Sequence, residues 1–416
     1  MIRDKKKLKK EVRHHLLNDA IYVIGIGEKA MQFIEKHCNE INISGILTDF
    51  ESKIGNIVIS GIRYNVYDIN EFELKKGSYL IIATQNYEYS DIYLQTHGCS
   101  TFHEYIWSDW YDIFMNNKKV LVVEGNCQIV MAYYFLKTIS IIKDNFELMV
   151  YHDHLYKSRY AALRWNYYIV MCDVYICNNY SENSKVSHRI NELPKDCKII
   201  KSPRFMFDLY WPSAQKYERT TYNDLEITDR KLLIKHPHGP FGCGDGFVNE
   251  LVKAGCSDAE ILDNILVHTF MNDEEMNKRT ESILEKCKMA DIDCDIKYYP
   301  YISKNWNKQL CFIDPVHLST DMYWDICNQI LNILGYQSLN NYDIEYYEEF
   351  EMYLHHCTQI PIYPMVAKQL KLEFVNESTK YEIAYYGGYK YQDFYDYYKE
   401  YIIASRLTYE LINTIT

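Results

Sequence analysis

The sequence predicts an α/β protein, with a small parallel-sheet domain at residues 19–117 and a larger, helix-rich α/β domain at 118–416. Strand-like and helix-like segments alternate along the first region, and the alternation resumes after residue 118. The chain has 416 residues, more than one hydrophobic core usually spans, so two domains are expected. Hydrophobic residues make up 48% and charged residues 25%, which is ordinary for a folded chain.

The first domain is expected to follow a solvated basic tail, residues 1–18, because that segment contains the run RDKKKLKK. A buried strand then leads into an amphipathic helix, and two more strands and a second helix extend a parallel sheet. The expected strands are AIYVIGIG, ISGILTD and GSYLIIAT, and the expected helices are EKAMQFIEKHCNE and NYEYSDIYLQTHG. The segment EYIWSDWYDIFMNNKK is expected to be a polar, aromatic connector between the domains.

The turn after the first strand carries the pattern GxGxxA, formed by Gly25, Gly27 and Ala30. Asp49 ends the next strand, 22 residues after Gly27. In dinucleotide-binding folds such glycines let the backbone approach a pyrophosphate, and the acid accepts hydrogen bonds from ribose. The region resembles the small Rossmann-like domains at the N-termini of bacterial sugar-modifying acyltransferases. The motif in this context predicts a bound nucleotide or nucleotide-sugar, with an empty structural domain as the alternative, and the resemblance implies nucleotide-linked sugar chemistry.

The second domain begins with a strand at Val120 that gives way to a helix at Cys127. More helix than strand is expected beyond this point. The further strands are expected at FELMVYH, CDVYICN, CKIIKSP and QLCFID. The helices are expected at CQIVMAYYFLKTIS, DGFVNELVKAG, SDAEILDNILVHTFMNDEEMNKRTESILEKCKMA and STDMYWDICNQILNILG.

Cys127 is a candidate nucleophile because it begins a helix, where backbone N–H groups and the helix dipole stabilise a thiolate. Gly125 permits a tight turn, Asn126 can direct an amide at a developing oxyanion, and Gln128 can orient neighbouring groups. The chain has 13 cysteines, and a buried cysteine that starts a core helix is the alternative.

Asp314 and His317 form a DxxH motif that supplies what such a thiol needs. The carboxylate can hold one imidazole nitrogen while the other faces the nucleophile. Asn178 and Asn179, which follow a predicted central strand, are further candidates for contacts to the oxyanion or substrate. The two segments resemble the first and last signature blocks of the SGNH, or GDSL, hydrolases and acyltransferases. The nucleophile of that superfamily is the serine of Gly-Asp-Ser, whereas Gly-Asn-Cys stands here.

A second resemblance rests on EGNCQ, HPHGPFGCGDGFVNELVKAGCSDAEI and IPIYPMVAKQLKL. These segments are similar to the WcbI-type capsular polysaccharide biosynthesis enzymes, from about Val120 to Tyr401. The resemblance implies acetyl transfer from coenzyme A to a sugar hydroxyl, with Cys127 as nucleophile or lining the thiol end of the coenzyme. On this interpretation His317 is the base and Asp314 orients it. Acetyl-CoA would be the co-substrate and a sugar or glycan the acceptor, with peripheral association with the glycan-assembly machinery.

Composition excludes several classes of protein. The net charge is −12, with 45 basic and 57 acidic residues, which argues against a nucleic-acid binder. No apolar stretch approaches the ~18 residues of a membrane span. Cysteines are scattered without a CxxC pair, so a reducing cytoplasm is the expected compartment. The 41 tyrosines suit a sugar-stacking surface, although biased codon usage explains them more simply.

Four further residues are candidates for lining the substrate or binding coenzyme phosphates: Arg159, Arg204, His236 and His238. The HxH pairs of the chain lack a third ligand at a telling spacing, so no metal site is predicted. Two alternatives to acetyl transfer stay open. One is a thiol-dependent carbohydrate esterase or deacetylase, and the other is a non-catalytic, nucleotide-sensing glycan-assembly protein.

Overall fold

A computed structural model of the chain describes residues 5–73, 75–84, 87–152, 169–179, 190–215, 244–339, 358–385 and 388–415. It confirms the predicted α/β class, because two sheets built mainly from parallel strands are flanked by helices. In the labels used below, strands and helices are numbered in chain order within these residues.

The first sheet has six strands in the order β3-β4-β2-β1-β5-β6. Its strands are β1 Ala20–Ile24, β2 Ile43–Thr48, β3 Gly55–Ile59, β4 Ile62–Asp68, β5 Ser78–Ile82 and β6 Tyr105–Trp107. Its helices are α1 Lys5–Asn18, α2 Glu28–His37, α3 Tyr87–Thr96 and α4 Tyr111–Met115. All neighbouring strands run parallel except β3 and β4, which form an antiparallel hairpin at the edge.

The predicted connector EYIWSDWYDIFMNNKK is not a connector over its first half. Tyr105–Trp107 pairs in parallel with β5 as the sixth strand, and a short helix, α4, follows it. Trp107 and Trp110 are fully buried, and their rings lie 5.2 Å apart. The aromatic residues therefore belong to the core, and the interspersed acids that suggest a polar segment lie at the periphery.

The predicted solvated tail is wrong for residues 5–18, which form helix α1. Leu8, Val12 and Leu16 recur every four residues and are buried in the same hydrophobic cluster as the first sheet. Lys9 donates a hydrogen bond to the carbonyl of Lys118 at 3.2 Å. The surrounding lysines conceal this apolar stripe in the sequence, because they make the segment basic overall without occupying its buried face.

The second sheet has four parallel strands in the order β10-β9-β7-β8. Its strands are β7 Lys119–Gly125, β8 Phe146–His152, β9 Cys172–Asn178 and β10 Lys198–Ser202. Two short two-stranded pairs follow: β11 Ala214–Gln215 with β12 Gly244–Asp245, and β13 Tyr381–Tyr385 with β14 Gly388–Gln392. The predicted strands FELMVYH and CDVYICN coincide with β8 and β9.

The helices of this half are α5 Cys127–Thr138, α6 Ser140–Asn145, α7 Gly246–Lys253, α8 Asp258–Val267, α9 Asp273–Ala290, α10 Tyr299–Asn305, α11 Thr320–Leu334, α12 Pro364–Leu370 and α13 Phe394–Ile415. The long helix predicted across 257–290 is two helices, α8 and α9. Each begins with a capping box, in which Ser257 pairs with Glu260 and Asn272 pairs with Glu275. The segment QLCFID is not a strand, and only an isolated bridge joins Phe312 to Leu318.

Strand β7 lies at the centre of the molecule. Val120 and Val122 face the hydrophobic cluster that contains the first sheet and α1, while Leu121 and Val123 face a second cluster built from the later helices. Within the described residues, no helix combines the length and apolar character needed to cross a membrane. The predicted domain boundary at 117/118 falls just before β7.

The tyrosine-rich C-terminal helix α13 packs against the core through Tyr397, Tyr398, Tyr401 and Ile402, which are buried. Tyr398 and Tyr363 both donate hydrogen bonds to Oδ2 of Asp245, at 2.9 and 2.7 Å. Asp245 also caps α7, and burial raises the pKa of its carboxyl despite these hydrogen bonds. Tyr398 therefore anchors α13 to the start of α7.

Candidate functional site

The turn between β7 and α5 brings Cys127 to the carboxyl edge of the second sheet. A Cβ atom on Gly125 would lie 2.3 Å from Oδ1 of Asn178 and 2.5 Å from Cγ2 of Ile129. The backbone N–H of Asn126 donates to the same Asn178 oxygen at 2.9 Å. Glycine is therefore required at this position because the end of β9 approaches the turn too closely for any side chain.

Cys127 is the first residue of α5, and its side chain is partly exposed. The first hydrogen bond of the helix runs from the N–H of Val130 to the carbonyl of Asn126, and no side chain of the described residues caps the N–H groups before it. Oδ1 of Asn126 is buried and has no hydrogen-bond partner among the described residues. The turn thus places the Cys127 thiol beside backbone N–H donors at the start of α5. It also places the thiol near Oδ1 of Asn126, an acceptor without a partner among the described residues.

Gln128 joins this turn to two segments that are distant in sequence. Its fully buried side chain donates from Nε2 to the carbonyls of Phe205, at 2.6 Å, and Val316, at 2.8 Å. Its Oε1 accepts the backbone N–H of Phe205 at 3.3 Å. Because Val316 immediately precedes His317, this single side chain ties the cysteine turn to the DxxH loop.

The DxxH loop is a tight turn organised by Asp314, which is 3% exposed. Its Oδ1 accepts the N–H groups of Val316 and His317, both at 2.7 Å. Its Oδ2 lies 2.6 Å from Nδ1 of His317. Ser319 then caps α11 by accepting the N–H of Met322 at 3.4 Å. One carboxylate therefore fixes both the backbone of the loop and the orientation of the imidazole.

The electrostatics of this pair favour an ionised carboxylate. Burial raises the pKa of the Asp314 carboxyl, but the hydrogen bond and charge of His317 and the two backbone N–H groups outweigh it. The pKa of Asp314 consequently lies below its usual range. Oδ2 of the ionised Asp314 accepts a hydrogen bond from Nδ1–H of His317, so Nε2 is the ring nitrogen suited to exchange a proton with a reactant.

Of residues 202–207, sequence reasoning named only Arg204, and it missed the contacts that join this segment to the site. Asn178 donates from Nδ2 to the carbonyl of Pro203 at 3.2 Å, and the N–H of Phe207 donates to the carbonyl of Pro315 at 2.9 Å. Arg204 lies between these contacts, and its side chain is exposed and has no partner among the described residues. The sequence carries little signal for these contacts, because the apolar run Phe205, Met206 and Phe207 does not show that Met206 is exposed between two buried rings.

The remaining predicted residues divide into three groups. Asn178 is drawn into the turn, whereas Asn179 donates from Nδ2 to the carbonyl of Ile292 at 3.2 Å and takes no part in the network around Gln128. Three residues, Arg159, His236 and His238, lie outside the described residues. Within the described part of the chain, His, Cys, Asp and Glu form no group of three or more that could hold a metal ion.

The turn between β1 and α2 opens into a separate cavity of about 470 Å³, lined by Gly25, Gly27 and Asp49 among others. Gly25 has φ +118°, and a Cβ there would lie 2.7 Å from the carbonyl oxygen of Ala83. A Cβ on Gly27 would meet no described atom within 4 Å, so the small size of this residue is not required by packing. The three residues predicted to bind a nucleotide therefore share one cavity.

Comparison with known proteins gives one informative result. No family model matches the chain, and no curated protein matches its sequence. Among solved structures, the chain is similar to WcbI, described as a novel polysaccharide biosynthesis enzyme, in a native form without a disulfide bond between coenzyme A and a cysteine. The TM-score is 0.52 at 14% identity, and the similarity covers 69% of this chain and 90% of WcbI. It shows a shared fold.

Proposed function

We propose that the protein transfers an acetyl group from coenzyme A to a sugar hydroxyl during the biosynthesis of a capsular or other surface polysaccharide. The observation that carries the proposal is the Gln128 side chain, which joins the Cys127 turn to the loop holding the Asp314–His317 pair. A thiol, an oriented imidazole and a buried carboxylate are the groups that acyl transfer through a cysteine requires. The fold shared with WcbI, whose description names coenzyme A and polysaccharide biosynthesis, supports the same choice.

In the first half-reaction, His317 takes the proton of the Cys127 thiol, and the thiolate attacks the carbonyl carbon of the acetyl thioester. His317 then gives that proton to the departing thiolate of coenzyme A, and Cys127 carries the acetyl group. In the second half-reaction, His317 removes a proton from the sugar hydroxyl as its oxygen attacks the acetyl carbonyl. The same proton returns to Cys127, so the enzyme ends as it began.

The negative charge on each tetrahedral intermediate would be met at the start of α5. Backbone N–H groups there have no capping side chain, and such donors are worth about 3 kcal/mol when aimed at an oxyanion. Asn126 lies in the same turn, where its unpartnered Oδ1 can accept a hydrogen bond from an acceptor hydroxyl. Asp314 orients His317 and stabilises the imidazolium that forms in each half-reaction.

Phosphate groups of the donor would be bound by Arg204. Its guanidinium is exposed, lacks a partner among the described residues, and belongs to the segment held by Gln128 and Asn178. A guanidinium binds phosphate through paired N–H donors, so this residue type suits coenzyme A.

Release of free coenzyme A thiol from acetyl-CoA, measured with and without a glycan acceptor, tests the proposal. Without acceptor, wild-type protein should release at most one equivalent of thiol, from acetylation of Cys127, and continued release should require the acceptor. Continued release in its absence would indicate an esterase-like hydrolase. Cys127→Ala and His317→Ala should each reduce transfer by at least about 10³-fold. Full transfer by both Cys127→Ser and His317→Ala would contradict the proposed site.

A second binding function is favoured by the cavity at the β1–α2 turn. We infer that it holds a nucleotide or nucleotide-sugar, because Gly27 leaves open space at a helix start and Asp49 lies on the cavity wall. Titration with a uridine diphosphate sugar and an adenosine diphosphate sugar should show binding of one of them. Gly27→Val should abolish that binding without lowering thermal stability, and binding that survives this variant would place the ligand elsewhere.

A further inference from the structure

A second cavity, of about 610 Å³, lies in the C-terminal part of the chain between the end of α8, helix α12, residues 371–379 and the start of α13. We call it the C-terminal cavity. Neither Cys127 nor the Asp314–His317 pair lines it. Its volume is in the range of small-molecule sites.

The floor of the C-terminal cavity is apolar and belongs to the core. Ile362, Leu372 and Tyr381 are buried at 1%, 7% and 2% exposure, and each presents part of its surface to the cavity. Val375 and Phe394 complete the apolar wall. Because these side chains are held by the surrounding helices, the cavity is preformed. An apolar group that enters it is removed from water, and little conformational entropy of the protein is lost.

The rim of the cavity contains two lysines and two acids, which differ in whether they are already paired. Lys368 and Lys371 are exposed, and their ammonium groups form no hydrogen bond or ion pair within the described residues. Of the two acids on the rim, Asp393 is already paired with Lys380 at 3.1 Å. Glu377 is therefore the one acid of the lining without a cationic partner among the described residues. Two unpaired ammonium groups above an apolar floor complement a ligand that has one anionic end.

We propose that the C-terminal cavity binds a single-chain amphiphile whose apolar chain occupies the floor and whose phosphate group is bound by Lys368 and Lys371. The apolar residues supply most of the affinity, and the lysines select for the charged head group. A sugar is disfavoured as occupant, because the polar groups of the lining lie at the rim and the floor offers its hydroxyls few partners. The inference does not depend on acetyl transfer at Cys127.

Calorimetric titration of the full chain with decyl phosphate, decanol and inorganic phosphate, each below its aggregation limit, tests this inference. Decyl phosphate should bind at one site, decanol about 10-fold more weakly, and inorganic phosphate not measurably. Raising the salt concentration should weaken the binding of decyl phosphate and leave that of decanol unchanged.

Substitutions assign the binding to this cavity. The double variant Lys368→Ala with Lys371→Ala should weaken decyl phosphate about 10-fold and leave decanol unaffected, whereas Glu377→Gln should strengthen decyl phosphate about twofold. Lys278→Ala, which removes an exposed lysine outside the lining, is the matched control and should change nothing. Val375→Asp should abolish the binding of both chain-bearing ligands.

Three results would overturn the inference: no binding of decyl phosphate, equal binding of decanol and decyl phosphate, or an unchanged affinity in the double lysine variant. The lysine variants alter exposed side chains, so they should fold even if Val375→Asp does not. Selective binding of a methyl glycoside in this cavity would also overturn it and would assign the site to carbohydrate.

Discussion

The β1–α2 and β7–α5 turns have the same backbone arrangement, but one turn lines a cavity and the other carries the candidate nucleophile. In each, a parallel strand ends at a glycine that a neighbouring strand approaches closely, Gly25 against Ala83 and Gly125 against Asn178. The helix caps have nearly identical backbones, with φ −77° and ψ −179° at Gly27 and φ −76° and ψ 177° at Asn126.

The difference lies in what fills the turn. Gly27 leaves a cavity, whereas Asn126 is followed by a thiol and by Gln128, whose amide binds two distant segments. A strand-to-helix turn at a sheet edge supplies oriented N–H groups in either case. Whether it binds a ligand or forms a reaction centre depends on the side chains that follow the glycine.

The largest expected effect is that of Gly125→Ala. The new methyl group would collide with Asn178 and Ile129, so the free energy of unfolding should fall by about 3 kcal/mol and activity should be lost. Gly27→Ala is the matched change in the other turn, where open space surrounds the Cβ position, and it should alter stability by less than about 0.5 kcal/mol. Urea unfolding measures both, and equal costs would contradict the comparison.

Gln128→Leu should have the next largest effect. It leaves the buried carbonyls of Phe205 and Val316 without their donor, which should cost about 2–3 kcal/mol and displace the His317 loop. Gln32→Leu is the control, because that exposed side chain on α2 bonds only to Glu28. If Gln128→Leu kept wild-type stability and activity, Gln128 would not be the link between the two halves of the site.

Asp314→Asn should change the pH dependence of stability. The folded-state pKa of Asp314 is depressed, so the ionised carboxylate stabilises the folded protein. This stabilisation is fully present above the unfolded pKa of about 3.9 and is lost as the pH falls through the lower folded pKa. The variant should be less stable by about 1–2 kcal/mol at pH 7 and should lack this acid-sensitive component.

The corresponding control is Asp49→Asn, which alters an exposed carboxylate beside the turn between β1 and α2. Thermal unfolding of both variants and wild type from pH 7 to pH 3 measures this component, and Asp49→Asn shows the effect of removing an exposed carboxylate. A wild-type-like curve for Asp314→Asn would show that the buried pair contributes no pH-linked stability.

Arg204→Ala should have the smallest effect on stability, but it should measurably weaken the binding of acetyl-CoA. Removal of one phosphate-binding guanidinium should raise KM for acetyl-CoA about 5-fold with little change in kcat. Arg63→Ala removes an exposed arginine from β4 of the first sheet and should leave both constants unchanged. A fall in kcat with constant KM would instead place Arg204 in the chemical step.

Sequence patterns predicted β1, β2, β5 and the four strands of the second sheet, but they missed β3, β4 and β6. The segments at β8 and β9 were predicted to the residue, and the candidate site residues Cys127, Asp314 and His317 follow from local motifs. The basic charge of α1 hid its buried stripe of Leu8, Val12 and Leu16.

Contacts between distant segments could not be predicted. The sequence made Gln128 a candidate for orienting neighbouring groups, but the segments that it joins depend on where residues 205 and 316 come to lie in the fold. QLCFID has the composition of a strand, yet Asp314 binds its own following N–H groups and turns the chain back instead. Tertiary packing overrides local preference at both places.

The central claim, that Cys127 carries the acetyl group, is tested most directly by the intact mass of the protein after brief incubation with acetyl-CoA and no acceptor. Wild-type protein should gain the mass of one acetyl group, and peptide mapping should locate it on Cys127. Addition of a glycan acceptor should remove it, and Cys127→Ala should never acquire it. An acetyl group that maps to another residue, or transfer to acceptor at wild-type rate by Cys127→Ala, would contradict the account.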